Sequence, residues 1–401
     1  MDKSEKYIND YLFFQEGPGV RNYQYTTSGV KLLNVSNLVD GKLDLDNSSR
    51  YISNEEANGK YKHFLCDAGD LIIASSGIKA EYFDKKMGFV NENMLPLCMN
   101  TSTIRFKSLD DSKINIKYFM YYLKSNHFKK QLEYNLTGSA QLNFGPSHLK
   151  KMKFVYHDIS TQKIIVDKLD SIMSVINLKK EQLGKFDELI KSQFVEMFGD
   201  PNFNEKKWIT RTVNDIGLCV AGATPSTAIK EYWENGTIPW LSSGEVNKGR
   251  IYETDTKISQ KGYDNASTKL VPPKTVLIAM AGQGKTRGLS AITEIELCTN
   301  QSVCSIVNND KVNPEYLLYF FKMQYLELRN ASTSSEGRGG LNLKIIGNYK
   351  VMIPPIELQN KFAKIVEQID KQKFVNANLL QLLVKNLKRC YNNIIGFIGF
   401  R

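Results

Sequence analysis

Apolar residues recur in steps of four and three along Asp158–Phe198, a stretch with no proline and one glycine, Gly184. This period places apolar side chains on one stripe of an α-helix, as in helices that pack lengthwise against a partner. At 1.5 Å per residue the helix is about 60 Å long, and Gly199-Asp200-Pro201 predicts its end. A surface helix of a bundle is the alternative. The stripe consists of Ile165, Leu169, Ile172, Ile176, Leu183, Phe186, Ile190 and Met197, interrupted by Lys179 and Gln193.

A second stripe of the same period follows Ile353. Its apolar members are Ile365, Ile369, Leu379, Leu383 and Cys390, and its polar members are Gln372, Asn376 and Asn386. Ile365, Ile369 and Leu383 lie 200 residues after Ile165, Leu169 and Leu183, and Asn376 lies 200 residues after Ile176. Polar residues in such a stripe weaken the pairing but fix its register. We therefore expect the two helices to be partners and the chain to be a tandem duplication.

Short apolar runs such as Val30–Val35, Leu71–Ala74 and Ser102–Phe106 alternate with Gly, Asn, Asp and Ser clusters before the first long helix. They predict short strands and long loops, a helix over Ile116–Leu132 and a strand over Met152–Tyr156. The plan repeats between the two long helices. Four segments match in order, namely Leu71–Gly77 with Val276–Gly282, Cys98–Ser102 with Cys298–Ser302, Asn115–Tyr118 with Asn313–Tyr316, and Leu142–Asn143 with Leu341–Asn342.

The predicted organisation is therefore a globular domain over residues 1–157, a spacer helix over 158–200, a second globular domain over 201–355 and a second spacer helix over 356–401. The fold class is α+β, with two mixed α/β domains in a tandem pseudo-twofold repeat. Whether the short tail Gly396–Arg401 is the natural end of the second helix stays open.

Charge favours a polyanionic partner, because the net charge is +11 and the pI about 9.1. A basic protein without such a partner is equally compatible with charge alone. Six cysteines and four histidines show no metal-ligand spacing, so zinc is not expected and the thiols are expected to be reduced and packed. No run approaches the ~20 apolar residues that cross a bilayer, so we expect a cytoplasmic protein with no membrane contact.

Polar loops supply the candidate DNA contacts. The segment Gly282–Gly288 resembles a phosphate-binding P-loop, but Ala279 stands where that motif has its first glycine and no convincing helix follows. We interpret it as a flexible loop of donors that can reach base edges and phosphates, with a solvated turn as the alternative. The full candidate set is Ser75, Ser76, Lys79, Thr137, Ser139, Gln141, Asn143, Thr224, Ser226, Ser242, Ser243, Gln283, Lys285, Thr286, Arg287, Arg338 and Asn342.

Catalytic motifs were sought without success. The Pro-Pro pairs at Val271–Lys274 and Ile353–Ile356 lack the polar residue and the aromatic that a methyltransferase places beside them. No HExxH, GxSxG or HRD-type pattern occurs. The neighbouring carboxylates Asp110-Asp111 and Glu55-Glu56 are interpreted as solvated loop residues. We predict no catalytic residue, no metal and no cofactor for this chain.

The sequence resembles the specificity subunits of Type I restriction-modification systems over nearly its whole length. The segments that carry the resemblance are Phe186–Pro201, Ile238–Val246, Val276–Gly288, Cys298–Val303 and Leu341–Asp370. The second half matches more strongly than the first, and residues before Gly29 diverge. No base-contacting residue can be carried over, because recognition domains diverge with the DNA they read.

The resemblance implies two target recognition domains on double-stranded DNA, each reading half of a split site, held apart by an antiparallel coiled coil. It also implies docking to two methyltransferase subunits and to restriction/translocase subunits. S-adenosylmethionine, ATP and magnesium would serve those partners, and this chain would be non-catalytic. A coiled-coil adaptor with incidental charge and a self-contained restriction-modification enzyme are the alternatives. Steep loss of DNA affinity with salt would argue against the adaptor, and activity of the purified chain alone would favour the enzyme.

Overall fold

The computed structural model describes residues 5–135, 142–282, 284–331 and 340–393. The chain divides into two compact units. Unit 1 consists of Met1–Lys179 and Leu379–Arg401, and unit 2 of Lys180–Asn378. Both long helices contribute one part to each unit. The division into four consecutive domains stays a prediction.

Unit 1 holds thirteen described strands and the helices that connect them. The strands are β1 (Glu5–Tyr7), β2 (Leu12–Glu16), β3 (Val30–Leu33), β4 (Leu38–Val39), β5 (Lys42–Leu43), β6 (Tyr51–Ile52), β7 (Leu71–Ala74), β8 (Ser76–Ile78), β9 (Met87–Phe89), β10 (Leu97–Met99), β11 (Thr103–Ser108), β12 (Leu142–Asn143) and β13 (Lys153–Val155). The helices are α1 (Asn54–Asn58), α2 (Ile116–Leu123), α3 (Asn126–Asn135), α4 (Pro146–Leu149) and the first part of α5 (Ile159–Phe198).

Unit 2 repeats this order with ten described strands. They are β14 (Ile209–Thr212), β15 (Gly217–Ala221), β16 (Ile238–Leu241), β17 (Arg250–Ile251), β18 (Thr256–Ile258), β19 (Val276–Ala279), β20 (Ser290–Thr293), β21 (Cys298–Thr299), β22 (Val303–Asn308) and β23 (Lys350–Ile353). The helices are α6 (Val213–Ile216), α7 (Gln260–Asp264), α8 (Pro314–Met323), α9 (Tyr325–Ala331), α10 (Leu343–Gly347) and α11 (Ile356–Asn393), which continues into unit 1.

The two units share one sheet plan. The main sheet has the order β2-β11-β7-β9 in unit 1 and β15-β22-β19-β20-β17 in unit 2. Each unit also has a small three-stranded sheet, with the order β10-β3-β6 in unit 1 and β18-β16-β21 in unit 2. Each small sheet contains one parallel pair, β10 with β3 in unit 1 and β16 with β21 in unit 2. A strand pair, β1 with β13 or β14 with β23, precedes each long helix. The repeated topology confirms the duplication.

Helix α5 confirms the first long helix. The Asp158 carboxylate accepts a hydrogen bond from the Thr161 amide at 3.0 Å, which caps the first turn, and hydrogen bonds from Thr161 lower the pKa of that carboxyl to about 2. Gly199 has φ of +81°, a conformation that favours glycine, and ends the helix. The single helix predicted over Ile116–Leu132 is wrong. It is two helices, α2 and α3, because the chain turns at Lys124 and Ser125 and the Ser125 hydroxyl accepts from the Phe128 amide at 3.3 Å.

The long helices pack antiparallel, as predicted, since the first part of α5 meets the end of α11 in unit 1 and the second part meets the start of α11 in unit 2. In unit 1 the Tyr391 hydroxyl lies 3.7 Å from the Met173 sulfur. In unit 2 the Phe362 ring stands edge-on to Phe194 with centroids 5.5 Å apart. Aromatic pairs of this geometry stabilise beyond their buried area.

The predicted offset of 200 between the helices is wrong. Both helices begin at equivalent residues, Ile159 and Ile356, which are 197 positions apart. The buried residues of α11 are accordingly Gln359, Phe362, Val366, Ile369, Leu387 and Tyr391, while Leu379 is exposed. Offsets of 197 and 200 differ by three residues, which is less than one helical turn. Because the apolar residues recur in steps of three and four, both offsets align apolar positions of α5 with apolar positions of α11.

Matched hydrogen bonds anchor each long helix to its unit. The buried amide of Gln162 accepts from the Asn115 backbone at 2.8 Å, and that of Gln359 accepts from Asn313 at 2.8 Å. Each Gln also donates to a backbone carbonyl just before its helix. Buried amides with satisfied partners fix orientation, because losing one partner leaves the other unpaired. The first turns of α5 and α11 are therefore held in the same way.

Unit 2 contains an ionic network centred on Arg250, at a place where unit 1 has the separate ion pair of Lys117 with Asp170. Arg250 forms two 2.8 Å hydrogen bonds with Glu315 and one of 2.9 Å with Asp370, and it also pairs with Glu294. Burial alone would raise the pKa of Glu315, but the hydrogen bonds and charge of Arg250 outweigh it and leave that pKa below its ordinary value. The network joins the sheet, α8 and α11.

Candidate nucleic-acid interface

The polar loops of unit 2 converge at one end of its sheets. Strands β15, β16, β19 and β21 end there, and β20 and β22 begin there. We call this end, formed by residues 222–226, 242–243, 280–282, 284–289, 300–302 and 340–344, the loop end of unit 2. Loops on a rigid sheet scaffold are the usual carriers of binding residues.

Backbone hydrogen bonds hold these loops against one another. The Met280 amide donates to the Ser302 carbonyl at 2.8 Å, and the Leu341 amide donates to the Met280 carbonyl at 3.2 Å. Gly222 lies so close to the Thr299 carbonyl that a Cβ would overlap it. Glycine is therefore required at this crossing of two loops.

Five predicted residues of the second domain lie on the shorter loops. Thr224 and Ser226 are exposed, and the Thr224 hydroxyl donates to Gln301 Oε1 at 2.6 Å. Ser242 and Ser243 are half-buried, and both the amide and the hydroxyl of Ser242 donate to the Glu245 carboxylate. Asn342 is exposed, and its side chain accepts from the Ile345 amide at 2.9 Å, which caps α10. Ser242 and Asn342 thus also shape the loops that carry them.

Side chains of α9 hydrogen-bond to the loop between β19 and β20. Arg329 donates to the carbonyls of Gly284 at 2.6 Å and Arg287 at 3.2 Å, and the Tyr325 hydroxyl donates to the carbonyl of Lys285 at 2.8 Å. Three carbonyls of the described part of this loop thus have donors on α9, while its flexibility stays a prediction. Lys285 is exposed, and Thr286 and Arg287 are half-buried.

A groove of about 500 Å³ opens at this end. Its walls offer amide, hydroxyl and ammonium groups from Gln301, Ser302, Asn342 and Lys344 above an apolar floor that includes Met280. Amides can pair bidentately with adenine, and lysine can contact guanine or phosphate. The arrangement suits the edge of a nucleic acid and holds no catalytic pair.

Unit 1 has the same loop end with different side chains. The Ser75 amide donates to the Ser102 carbonyl at 2.8 Å, as Met280 does to Ser302, and the Phe144 amide donates to the Ser75 carbonyl at 2.9 Å, as Leu341 does to Met280. Phe144-Gly145 is therefore the counterpart of Leu341-Asn342. The predicted match of Leu142-Asn143 with that pair is wrong by two residues.

The predicted residues of the first domain divide between core and surface. Ser75 is buried, and its hydroxyl donates to Glu16 at 3.4 Å, so a direct contact to DNA does not suit it. Ser76 is half-buried and pairs with the exposed Asn143 between β8 and β12. Lys79 is exposed, with its ammonium 3.9 Å from Glu81. Ser76, Lys79 and Asn143 stay predictions as DNA contacts.

Five predicted residues lie outside the described residues, namely Thr137, Ser139, Gln141, Gln283 and Arg338. Sequence reasoning missed Gln301, Lys344, Arg329 and Tyr325. The last two lie four residues apart on α9, a spacing that places them on one face of a helix, but nothing in their sequence points to a loop 40 residues earlier.

The thiols are reduced, as predicted, and four of the six are buried. Burial raises the pKa of Cys98 to about 12 and that of Cys298 to about 11, so both are uncharged at neutral pH. Across the described ranges no group of His, Cys, Asp or Glu residues could hold a metal ion. Within the same ranges no helix is both long and apolar enough to span a membrane.

Comparison with known families gives a match over most of the chain. The model of the Type I restriction modification DNA specificity domain matches twice, at residues 19–185 and 205–384. Each match covers one globular region and much of the long helix that follows it. The two matches agree with the internal duplication.

Curated relatives are specificity subunits. The specificity subunit of EcoR124I/EcoR124II from Escherichia coli is 23% identical over 66% of this chain and 65% of that protein. The MjaIX specificity subunit from Methanocaldococcus jannaschii is 34% identical over 41% of this chain and 38% of its own length. The chain thus aligns with less than two thirds of either relative.

Solved structures share the fold. An S subunit from M. genitalium has a TM-score of 0.55 at 15% identity, with 97% of this chain and 95% of that one covered. A structure described under complex assembly and conformational transition of the type I R-M system gives 0.60 at 15% identity, covering 96% and 97%. Because the family model matches in both halves, this chain belongs to the family of Type I restriction-modification specificity subunits.

Proposed function

We propose that this chain is the DNA-reading subunit of a Type I restriction-modification complex and recognises a bipartite double-stranded target. Each unit contacts one half of the target through its loop end. The observation that carries the proposal is the matched pair of loop ends, in which identical backbone bonds support different polar side chains. Identical supports with different side chains suit two readers of two different short sequences.

The antiparallel pair of α5 and α11 is proposed as the spacer between the readers. A duplicated chain also offers two similar faces, which suits two copies of a methyltransferase subunit, with restriction/translocase subunits joining that core. Catalysis, and the use of S-adenosylmethionine, ATP and magnesium, would belong to those partners. We expect the complex to work in the cytoplasm, where its DNA target is.

A genome-wide map of methylated adenines, with and without this gene, tests the proposal. Deletion should remove methylation at one split, asymmetric motif, and a plasmid copy of the gene should restore it. An unchanged map in a strain that expresses the gene would contradict the proposed role.

A loop variant tests the loop end of unit 2 directly. Lys285→Ala with Arg287→Ala should weaken binding of a duplex that contains the motif by about 1–3 kcal/mol, because both cations lie on the loop between β19 and β20 at this end. Arg211→Ala with Lys350→Ala is the control, since it removes the same charge from exposed positions of the strand pair β14–β23. Equal losses in both variants would mean that charge alone, and not the loop, accounts for binding.

A further inference from the structure

A second charged surface lies on the small sheet of unit 1. This surface carries four cations and two tyrosine rings on or next to the sheet. They are Arg21, Lys31, Arg50 and Lys60, with Tyr23 and Tyr25. We call these six residues the basic–aromatic patch. The Tyr23 ring is 86% exposed, which is unusual for a side chain of its size.

Three of the cations lie on aromatic rings. The Arg50 guanidinium carbon is 5.2 Å from the centre of the Tyr25 ring, and the Lys60 ammonium is 5.0 Å from that of Tyr61. The Lys31 ammonium is 5.4 Å from the Tyr51 ring. Such contacts orient a cation and leave its outer side open to a ligand.

Hydrogen bonds make the patch one continuous surface. Gln24 Oε1 accepts from the Arg21 amide at 3.0 Å and from the Tyr61 hydroxyl at 3.1 Å. The Thr26 amide donates to the Tyr51 carbonyl at 3.0 Å. The segment that carries Arg21 and Tyr23 is thereby fixed to the strand and helix that carry the other cations.

The four cations are not neutralised by acids in the described part of the chain, where no carboxylate lies within 4 Å of their charged nitrogens. The nearby Glu56 carboxylate accepts a hydrogen bond from the Gln24 amide at 2.6 Å. The corresponding region of unit 2 differs, because Lys261 there pairs with Glu231.

The patch adjoins the loop end of unit 1. Asn100, whose amide donates to the Leu33 carbonyl at that end, also accepts from the Val20 amide at 3.2 Å. Arg21 follows directly. The segment that begins the patch is therefore hydrogen-bonded to a residue of the loop end.

We propose that the basic–aromatic patch binds the phosphate backbone of DNA beside the half-site that unit 1 reads, and holds the duplex without reading its sequence. This inference rests on the proposed function. Arginine and lysine that lack acidic partners bind phosphates, and tyrosine hydroxyls donate to phosphate and sugar oxygens. We place this grip in unit 1, because none of its four cations has a carboxylate partner among the described residues.

The test compares two triple variants of the full-length chain on a random-sequence duplex of about 40 base pairs, long enough for several phosphate contacts. Arg21→Ala, Arg50→Ala and Lys60→Ala remove three patch cations. Lys130→Ala, Lys150→Ala and Lys151→Ala remove the same charge from exposed positions on the helical side of unit 1. Circular dichroism melting checks that both variants fold.

We expect the patch variant to lower the slope of log affinity against log salt by about 3, since each phosphate contact contributes about 0.9. The control variant should leave the slope unchanged. On a duplex that contains the methylated motif, the patch variant should lose affinity by the same factor as on the random duplex, so that the specificity ratio is kept.

An unchanged slope in the patch variant, or an equal change in the control, would overturn the inference. Loss of co-purifying methyltransferase with DNA binding intact would assign the patch to a protein partner and would also overturn it. If the wild-type chain and the patch variant both lose DNA affinity steeply with salt, with the same slope, the patch inference fails and the proposed function stands. If the wild-type chain binds no DNA and its deletion leaves methylation unchanged, the proposed function fails first.

Discussion

Units 1 and 2 are built on the same backbone and differ in where they place charge. Both anchor their long helix through a buried glutamine and lock their loop end through the same amide-to-carbonyl bonds. Unit 2 places its half-buried ionic network around Arg250. Unit 1 instead buries the ion pair of Arg105 with Asp70 and exposes cations on its basic–aromatic patch. The comparison indicates that the hydrogen bonds common to both units specify the fold, whereas the positions of the charged side chains can differ between the units.

Tryptophan fluorescence can follow the two units separately, because the three tryptophans, Trp208, Trp233 and Trp240, all lie in unit 2. Hydrogen exchange of amides in α2 and in residues 159–179 of α5 reports unit 1. Each of the following changes is therefore measured in the unit that contains it and compared with a matched position in the other unit.

Ile176→Asp should have the largest effect, about 5 kcal/mol on unit 1, because it places a charge among apolar side chains. The equivalent residue of α11 is Lys373, which forms an ion pair with Asp187 at 2.6 Å in unit 2. Lys373→Ala should cost at most about 1 kcal/mol, as exposed pairs do. Ile176→Asp should also weaken assembly with partner subunits, and normal assembly would contradict the antiparallel pairing as the basis of docking.

Arg250→Met should destabilise unit 2 by about 3 kcal/mol, because it removes the shared cation of three half-buried carboxylates and leaves only Lys274 beside Glu294 and Glu315. The measurement is urea unfolding followed by tryptophan fluorescence. Lys117 stands in unit 1 where Glu315 stands in unit 2, and it pairs with Asp170 at 2.6 Å in a more exposed setting. Lys117→Met should cost about 1 kcal/mol or less. Similar costs for both would remove the contrast between the units.

Lys322 should make the stability of unit 2 depend on alkaline pH. Its burial and the nearby charges of Lys373 and Arg250 lower its pKa from 10.5 to about 8. Between pH 8 and 10.5 the unfolded chain binds the proton that the folded one has lost, so the free energy of unfolding should rise over that range, by about 2–3 kcal/mol. Lys322→Met should remove this rise and stabilise unit 2 at pH 7. The same substitution at Lys124, whose pKa burial also lowers, should act on unit 1. Equal pH profiles for the wild type and Lys322→Met would refute the assignment.

Gly184→Ala should give the smallest effect, a gain of about 1 kcal/mol, since the glycine lies inside α5 and an added methyl group meets open space. Gln381 occupies the equivalent position of α11. Gln381→Gly should cost a similar amount in unit 1. A loss of stability on Gly184→Ala would mean that the helix needs the glycine for its path.

The apolar patterns were sufficient to predict the two long helices, the principal short strands and the duplication. They could not give the helix register, because offsets of 197 and 200 place apolar residues on nearly the same face. The turn at Ser125 escaped notice because α2 and α3 carry apolar residues on both sides of it. Clusters such as Arg250 with Glu294, Glu315 and Asp370 join residues up to 120 positions apart, and single-sequence patterns hold no signal for such pairs.

The sequence predicted which loops carry the candidate site, but it did not predict which of their residues are exposed or how the loops contact one another. Gly, Ser, Thr and Asn clusters mark the loops of unit 2 that converge, since such residues favour turns. The burial of Ser75 could not be foreseen, because its neighbours read as an ordinary strand end. The support that Arg329 gives to the loop between β19 and β20 depends on the path of the chain between them.

Unit 1 is assembled from two distant parts of the polypeptide, because residues Leu379–Asn393 of α11 complete the apolar seam begun by Ile165–Ile176. A ribosome releases the chain from its N-terminus, so the first unit to be started is the last that can be finished. Unit 2, continuous from Lys180 to Asn378, has all its residues before that seam can close. During synthesis the first globule therefore stays incomplete, with an uncovered helix face, until residues 379–393 have been made, and a chain that terminates near Leu379 would lack part of unit 1.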